Sequence, residues 1–312
     1  MPTLSITVPT FNRAAILKVW LKKHANLMQK YNIDIHIQDN CSNDETRDLV
    51  KIWKGNYSNI SYACNTDNLP PTYVLDKALN QVETDFVWLV GDSYEIDEII
   101  LKKVLKVLKK NSPLFIITNL ENRKKNFIKS ELSFDTVSKE LLGILSCLSC
   151  TIYNKNLLRN IVFNEKHRSW FPHTIYILKQ LKIKNKKAYW LPNSVKILRS
   201  NKKRINWAST PQVFEIGAKN WISSINLIDG LNINMKKKAY KSFAEITGLF
   251  GLKGALQLRS QNLLTINAIN KYSYYLKKSL GINYLLLYIY AAIPVFVCIY
   301  LKKIYFSYFS KP

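Results

Sequence analysis

Small polar and acidic residues follow each of the first four apolar segments of the sequence. They are Asn12-Arg13 after Pro9-Thr10, the run Asp39–Asp44, the run Asn65–Asn68, and Gly91-Asp92-Ser93-Tyr94-Glu95. Carboxylate and amide groups can hold a ribose or a base, and each charge-assisted hydrogen bond contributes about 1.5–3 kcal/mol. A Gly-Asp pair lets the backbone approach a diphosphate while its carboxylate binds a bridging divalent cation. The pattern therefore indicates nucleotide binding.

The apolar segments alternate with stretches of helical periodicity over the first 120 residues. Strands are predicted at Leu4–Val8, Ile33–Gln38, Ile60–Cys64, Asp85–Val90 and Leu114–Thr118. Helices are predicted at Arg13–Gln29, after a cap at Asp44, at Pro71–Val82 and at Ile99–Leu108. Repeated βα units imply a mostly parallel sheet, in which ligands bind beyond the carboxyl ends of the strands. The four polar runs should therefore meet at one edge.

Several other classes of site are disfavoured by the motifs. The sequence has no GxGxxG, no Walker GxxxxGK[ST], no HExxH and no GxSxG, which argues against dinucleotide oxidoreductases, P-loop enzymes, zinc proteases and serine hydrolases. Cys147 and Cys150 form a CxxC pair inside an apolar run. We expect a buried, reduced pair there, with metal or redox chemistry as the alternative. Sugar-nucleotide enzymes remain as the main candidates.

Three segments resemble the inverting family 2 glycosyltransferases of the GT-A fold. Leu4–Arg13 resembles their opening strand, Ile35–Thr46 looks like their second-strand segment, and Phe86–Asp92 is similar to the strand that leads to their metal-binding acidic motif. The most similar branch contains abequosyltransferase-type enzymes of surface polysaccharide synthesis. The likeness is good over residues 3–120 and faint over 150–180.

The resemblance implies both an architecture and an activity. It implies a mostly parallel, Rossmann-like GT-A domain over residues 1–205, and the periodicity and charge of residues 206–312 predict a helical, membrane-associating region after it. It also implies inverting transfer of a hexosyl or deoxyhexosyl group from a nucleotide-diphosphate donor to a lipid-linked or polysaccharide acceptor, in O-antigen or capsule synthesis. The donor-binding residues that it implies are Pro9, Thr10, Asn12, Arg13, Asp39, Asn65, Asp67, Gly91, Asp92 and Ser93.

The sequence departs from the family pattern at the acidic motif. The aspartate that binds Mn²⁺ or Mg²⁺ in the family falls at Ser93 or Tyr94, so only Asp92 and Glu95 remain as acidic candidates. A hydroxyl group is a poor ligand for a hard cation. Three outcomes stay open. Asp92 and Glu95 hold a metal in altered geometry, cationic side chains stabilise the diphosphate without a metal, or the chain has lost activity.

Inverting transfer also needs a base that deprotonates the acceptor hydroxyl. Glu165 is the only acidic residue between positions 141 and 214, so it is the candidate base. His173 is the second candidate, as a base or as a metal or phosphate contact, and Asp92 completes the set of predicted catalytic residues. The alternative is that Glu165 belongs to a surface turn and His173 to a packed helix.

Charged residues are distributed unevenly along the chain. Residues 1–100 hold 9 Lys+Arg and 13 Asp+Glu, whereas the remaining residues hold 37 and 8. The basic part suits an anionic surface, either phospholipid or nucleic acid, although a general bias toward lysine codons is an alternative. No nucleic-acid reading motif is present, so we expect no nucleic-acid partner.

The C-terminal third is predicted to be helical and to contact a membrane. Helices are predicted at Gln212–Leu227, Lys236–Leu249 and Leu256–Leu280. The segment 284–301 carries no charge and has lysine pairs on both sides, while a bilayer span needs about 20 residues. We expect a location at the cytoplasmic face of a bacterial inner membrane, peripheral or through one C-terminal span. A kinked interfacial segment, with Pro294 at the kink, and a buried hairpin are the alternatives. A second functional hypothesis is an inactive GT-A relative that serves as a membrane-bound scaffold or saccharide-binding protein.

Overall fold

The computed structural model describes residues 3–123, 125–159, 161–163, 170–200, 207–280 and 282–309. The chain forms two compact units. The first comprises Met1–Val137, Ile144–Arg168 and Pro172–Lys203, and the second comprises Ser138–Gly143, Ser169–Phe171 and Arg204–Pro312. The functional domains assigned from the sequence, 1–205 and 206–312, stay predictions.

The first unit is built on a mixed sheet. Its strands are β1 (Leu4–Thr10), β2 (Asp34–Asp39), β3 (Ile60–Cys64), β4 (Phe86–Leu89), β5 (Tyr94–Glu95), β6 (Phe115–Leu120), β7 (Glu131–Leu132), β8 (Thr151–Asn154) and β9 (Ala188–Ile197). They lie in the order β3-β2-β1-β4-β8-β6-β9-β5, with β7 beside β9. Strands β3, β2, β1 and β4 are parallel, and β8 runs antiparallel between β4 and β6. The predicted α/β fold with a mostly parallel sheet is confirmed.

Helices connect and cover these strands. They are α1 (Ala14–Lys30), α2 (Thr46–Asn56), α3 (Pro71–Asn80), α4 (Glu98–Lys110), α5 (Phe134–Glu140), α6 (Leu142–Leu145), α7 (Lys155–Leu158) and α8 (Pro172–Ile183). In α1, Leu17, Trp20 and Leu21 recur at helical spacing and are fully buried, which fixes the face that meets the sheet. Asp97 caps α4 by accepting a hydrogen bond from the Ile100 N–H at 2.9 Å.

His24 fixes the middle of α1 to the segment that contains β5. Its ring stacks on Trp20 with centroids 4.1 Å apart, and its Nε2 accepts a hydrogen bond from the Ile96 N–H at 3.0 Å. The Nδ1 atom lies 2.7 Å from the Trp20 carbonyl oxygen, so the proton of the neutral ring is on Nδ1. Burial lowers the pKa of His24 to about 4, and the ring stays neutral near pH 7. Lys23 forms an ion pair with Glu95 beside it.

The second unit is helical. A π-helical turn over Glu215–Asn220 leads into α9 (Trp221–Asn226), α10 (Ile233–Thr247), α11 (Leu252–Ser260), α12 (Ile266–Lys271), α13 (Ser273–Ser279), α14 (Leu286–Ala292) and α15 (Val295–Phe309). Its core includes the ring of Phe214, which stacks on Phe250 and Tyr272 with centroids 5.7 and 5.9 Å apart.

The prediction of one helix over Leu256–Leu280 is wrong, because three helices occupy this range. Asn262 adopts a φ of +56°, which interrupts the right-handed course after α11. Thr265 then starts α12, since its Oγ1 accepts a hydrogen bond from the Ala268 N–H at 3.1 Å. Helical periodicity continued through this break, so the apolar pattern alone did not reveal it.

The apolar segment 284–301 is divided at Pro294 between α14 and α15. No single helix within the described ranges is long and apolar enough to cross a bilayer. Leu286–Ala292 and Val295–Ile304 together pass by length and composition, and they are bent by 104°. Proline removes a backbone donor and ends the regular helix here.

Gly254 in α11 offers a test of the packing in the second unit. A Cβ atom at this position would overlap the backbone carbonyl oxygens of Gly248 and Leu249. We expect Gly254→Ala to destabilise the protein by about 1–3 kcal/mol, which is typical of overpacking. Gly55→Ala in α2 is the control, because nothing lies within 4 Å of its Cβ position, and there alanine should stabilise the helix by about 0.5–1 kcal/mol. Thermal unfolding measures both, and equal melting temperatures for the two variants would contradict this packing.

Candidate functional site

The carboxyl ends of β1, β2, β3 and β4 lie side by side, as the sequence predicts. Backbone hydrogen bonds of 2.9 Å continue past the strands, from the Asn40 N–H to the Thr10 carbonyl and from the Asn65 N–H to the Asp39 carbonyl. The Val90 N–H donates to the Thr7 carbonyl at the same distance. The polar runs after the four strands are therefore gathered at one edge of the sheet, and they form its polar edge.

Asp92 is the centre of a buried ionic cluster at this edge. It is 2% exposed, and its Oδ1 lies 2.9 Å from the Arg13 Nη1 atom. The Nη2 group of Arg13 donates to the Ser93 hydroxyl at 2.8 Å, and that hydroxyl donates to Asp92 Oδ1 at 3.2 Å. Thr10 donates to Asp92 Oδ2 at 3.4 Å. The cluster therefore joins the end of β1, the start of α1 and the loop after β4.

Asp39 organises the neighbouring part of the edge. Its Oδ1 accepts hydrogen bonds from the Ser42 N–H and hydroxyl at 3.0 and 2.6 Å, and its Oδ2 accepts one from the Tyr62 hydroxyl at 2.6 Å. The carboxylate is 1% exposed. Burial, followed by the bond to Asp39, raises the pKa of Tyr62, so this phenol stays a donor. A carboxylate has about four acceptor positions, and these three bonds fix its orientation.

The loops after β1 and β2 are bonded to each other. The Asn12 N–H donates to Ser42 Oγ at 2.8 Å, and the Asn43 N–H donates to Asn12 Oδ1 at 2.9 Å. Asn12 has a φ of +50°, a conformation that asparagine tolerates better than most residues. Asp44 accepts from the Ala14 N–H at 2.8 Å and from the Thr46 N–H at 3.1 Å. One carboxylate thus caps the first turns of both α1 and α2.

A row of amides extends the edge toward β3. Asn65 donates through Nδ2 to Asn40 Oδ1 at 2.8 Å and accepts from Lys77 Nζ at 2.9 Å through Oδ1. Asn40 donates to Asn68 Oδ1 at 2.6 Å. Asp67, another predicted donor contact, is exposed and accepts a hydrogen bond from the Thr66 hydroxyl. Pro9 is half-buried within β1.

Gly91 serves close packing within the protein. Its N–H donates to the Ser149 hydroxyl at 3.0 Å, and an added Cβ would lie 3.3 Å from the Tyr94 ring. The Tyr94 phenol bonds in turn to the sulfur of Cys147, and repulsion from this sulfur, together with burial, raises the pKa of Tyr94. Cys147 and Cys150 are buried and free, as expected. The Tyr94 side chain is therefore directed toward the CxxC segment.

The two acidic side chains predicted to bind a divalent cation are both paired with cations of the protein. Asp92 is paired with Arg13, and Glu95 is paired with Lys23. Ten residues separate these two cations in sequence, which is about 15 Å along the axis of α1. Over the ranges that the structure describes, there is no group of three or more His, Cys, Asp or Glu side chains that could hold a metal ion. Asp92 and Glu95 thus each have a different protein cation as partner, and their assignment as metal ligands stays a prediction.

The structure describes only one of the two residues that are predicted to act as the base. Glu165 lies outside the described residues. His173 lies in the first turn of α8 and is 2% exposed. Burial lowers its pKa to about 4, although the backbone of Leu145 and Ser146 acts in the opposite direction. At 2% exposure, the ring has little access to the hydroxyl group of a bound acceptor.

The prediction from sequence missed residues that hold the site together. Tyr62 lies on β3 and reaches Asp39 only because the strands pair in the observed register. Ser149 bonds to Gly91 from 58 positions along the chain, and no local pattern predicts this contact. Ser42 lies within the polar run Asp39–Asp44, but its bonds to Asp39 were not predicted.

Solved structures show the class of fold. The S. aureus TarS fragment 1–349 in complex with UDP-GlcNAc superposes with a TM-score of 0.54 at 19% identity and covers 86% of this chain and 80% of its own. The mannosyltransferase PcManGT from Pyrobaculum calidifontis, in complex with GDP-Man and Mn²⁺, superposes with a TM-score of 0.56 at 13% identity, covering 97% and 87%. The fold is therefore that of GT-A glycosyltransferases.

The chain belongs to glycosyl transferase family 2, whose family model matches residues 5–180. Abequosyltransferase RfbV of Salmonella typhimurium is 32% identical over 108 residues, which are 34% of this chain and 31% of that protein. The GalNAc(5)-diNAcBac-PP-undecaprenol beta-1,3-glucosyltransferase of Campylobacter jejuni is 28% identical over 177 residues, which are 53% of this chain and 56% of that protein. The matches thus span between a third and just over half of these curated relatives.

Tyr62 provides a test of how the site is held. Tyr62→Phe removes a hydrogen bond to the Asp39 carboxylate, and bonds to charged groups are worth about 1.5–3 kcal/mol. Tyr57→Phe is the matched control, because the Tyr57 hydroxyl donates to the neutral Ile33 carbonyl at 2.6 Å, and such bonds are worth about 0.5–1.5 kcal/mol. We expect the larger loss of unfolding free energy for Tyr62→Phe in urea titrations. A larger loss for Tyr57→Phe would show that Asp39 does not depend on Tyr62.

Proposed function

We propose that this protein transfers a sugar from a nucleotide-diphosphate donor to a lipid-linked saccharide, with inversion, in the synthesis of a surface polysaccharide such as O-antigen or capsule. The observation that carries the proposal is the network of buried polar side chains at the carboxyl ends of four adjacent strands in a family 2 chain. The names of two relatives support it, since one is an abequosyltransferase and the other a glucosyltransferase that acts on an undecaprenol-linked saccharide.

Different residues of the proposed site would bind different parts of the donor. Asp39, Asn65 and Thr10 lie where hydrogen bonds to the base and ribose would be made. Arg13, which is one-third exposed, lies beside Asp92 where the diphosphate would bind. In the reaction the acceptor oxygen forms a bond to the anomeric carbon as the bond from that carbon to the diphosphate oxygen breaks. A cation at the diphosphate stabilises the charge that develops on this leaving group.

A general base must take the proton of the acceptor hydroxyl. Glu165 remains the candidate, because it is the only acidic residue between positions 141 and 214. The burial of His173 favours a structural role for it. Attack from the face opposite the diphosphate gives inversion at the anomeric carbon.

The second candidate function is a family 2 relative without turnover, which acts as a membrane-bound saccharide-binding or scaffold protein. The absence of an acidic residue at Ser93 and Tyr94 favours it. Under this alternative the polar edge would be retained for folding alone, and no donor would be consumed.

Asp92 distinguishes the two functions. We expect Asp92→Asn to lower transfer at least about 100-fold, because it disturbs the charges that face the leaving group. Asp85→Asn is the control, since Asp85 lies at the opposite end of β4, where it accepts from the Thr3 N–H at 2.7 Å. Transfer is measured with mass-tagged nucleotide sugars and membranes that contain lipid-linked saccharides. No transfer by the unchanged protein with any nucleotide sugar would favour the second function, whereas equal measurable rates for it and Asp92→Asn would show that Asp92 has no role in transfer.

We further propose that the C-terminal hairpin, α14 with α15, binds the cytoplasmic face of a bacterial inner membrane. Leu285, Ile289, Phe296 and Tyr300 are large apolar or aromatic side chains that are more than 60% exposed on it. Lys277-Lys278 precede it and Lys302-Lys303 lie within α15, and each lysine near an anionic surface contributes about 1 kcal/mol. With a 104° bend between them, Leu286–Ala292 and Val295–Ile304 extend only about 16 Å from end to end, roughly half of a hydrocarbon core. This geometry supports insertion into one leaflet.

Vesicle flotation tests this location. Phe296→Glu should weaken binding to vesicles that contain phosphatidylglycerol about tenfold or more, because burying such a side chain is worth about 1.5–3 kcal/mol. Ile52→Glu in α2 is the control, with an apolar side chain of similar exposure, 65% against 73% for Phe296. Equal binding of the two variants, or no binding by the unchanged protein, would contradict the proposed surface.

A further inference from the structure

Three observations at the polar edge concern the charge that a diphosphate would meet. The first is the Arg13–Asp92 pair, in which a carboxylate that is 2% exposed already has a guanidinium at 2.9 Å. A divalent cation at Asp92 would have to displace this guanidinium or share the carboxylate with it. Like charges at such separations repel strongly in a partly buried site.

The second observation is the direction of the residues that follow Asp92. The Ser93 hydroxyl is bonded to both Arg13 and Asp92. Tyr94 packs against Gly91 and bonds to Cys147, and Glu95 is held by Lys23. The three side chains after Asp92 therefore have protein partners, and the single carboxylate among them, that of Glu95, is paired with Lys23.

The third observation is the remaining capacity of Arg13. The guanidinium has five N–H donors in a planar arrangement that matches two phosphate oxygens. The two bonds described above use one donor on each Nη atom, and 33% of the side chain is exposed. Arg13 can therefore keep Asp92 neutralised on one side and bind an anionic oxygen on the other.

We infer that this chain binds the donor diphosphate without a resident divalent cation, and that Arg13 supplies the positive charge beside Asp92. The inference rests on the proposed function, since it concerns the diphosphate of the same donor. It assigns Asp92 the role of orienting the guanidinium. The polar edge then recognises a nucleoside diphosphate through fixed donors and a fixed cation.

Titration calorimetry of the full chain with UDP, GDP, CDP and dTDP tests the inference. We expect the nucleotide that binds best to have the same Kd, within about twofold, in EDTA and in millimolar Mn²⁺. Arg13→Gln should weaken its binding about tenfold or more, as expected for the loss of a charge-assisted contact. Lys22→Gln is the control on the same helix, because Lys22 is exposed, and it should leave the Kd unchanged.

A second variant separates binding from folding. Arg13→Gln leaves Asp92 buried without its cation, so the double variant Arg13→Gln/Asp92→Asn removes both charges and avoids this penalty. It should fold and should bind the nucleotide as weakly as Arg13→Gln. Wild-type affinity in the double variant, or binding by the unchanged protein that is lost in EDTA and restored by Mn²⁺, would overturn the inference and leave the proposed function intact. Failure of all four nucleotides to bind in either condition would instead overturn the proposed function.

Discussion

A carboxylate buried at the carboxyl edge of the sheet must be neutralised, and this requirement shapes the first unit. Removing an isolated charge from water costs several kcal/mol unless a partner compensates it. Asp92 meets the requirement through Arg13, which stands directly before the first helix. The same helix is fixed again by His24 and Lys23 to the residues that follow Asp92. Helix α1 is thus bonded at several points along its length to the segment 92–96, and the position of that segment depends on it.

The polar edge is rigid because its residues are hydrogen-bonded to each other in the protein without a ligand. Asp44 ties two helix starts together, Asp39 holds Ser42 and Tyr62, and Asn40 holds Asn65 and Asn68. Donors and acceptors that are already fixed lose little conformational entropy when a ligand arrives. A site of this kind selects ligands by the placement of its polar groups, and it needs no glycine-rich loop.

Much of the first unit could be predicted because short stretches of sequence determine its strands and helices. Apolar strands with polar ends and helices with regular spacing are visible in short windows, and the observed strands β1–β4 fall within two residues of their predicted bounds. The contacts that define the candidate site are less local. Tyr94 meets Cys147, and β8 enters the sheet between β4 and β6 from a distant part of the sequence. In the second unit, the left-handed backbone conformation of Asn262 interrupts a periodic stretch. A single asparagine in the sequence does not predict such a break.

The two buried histidines have a consequence for acid stability. Burial lowers the pKa of both His24 and His173 to about 4, whereas in an unfolded chain each would titrate near pH 6.5. Folding is therefore linked to proton release, and the stability that this linkage provides is complete above pH 6.5 and declines as the solution becomes more acidic. An acidified solution would drive protonation of His24 through unfolding, and the bond from the Ile96 N–H that holds α1 against β5 would be lost with it.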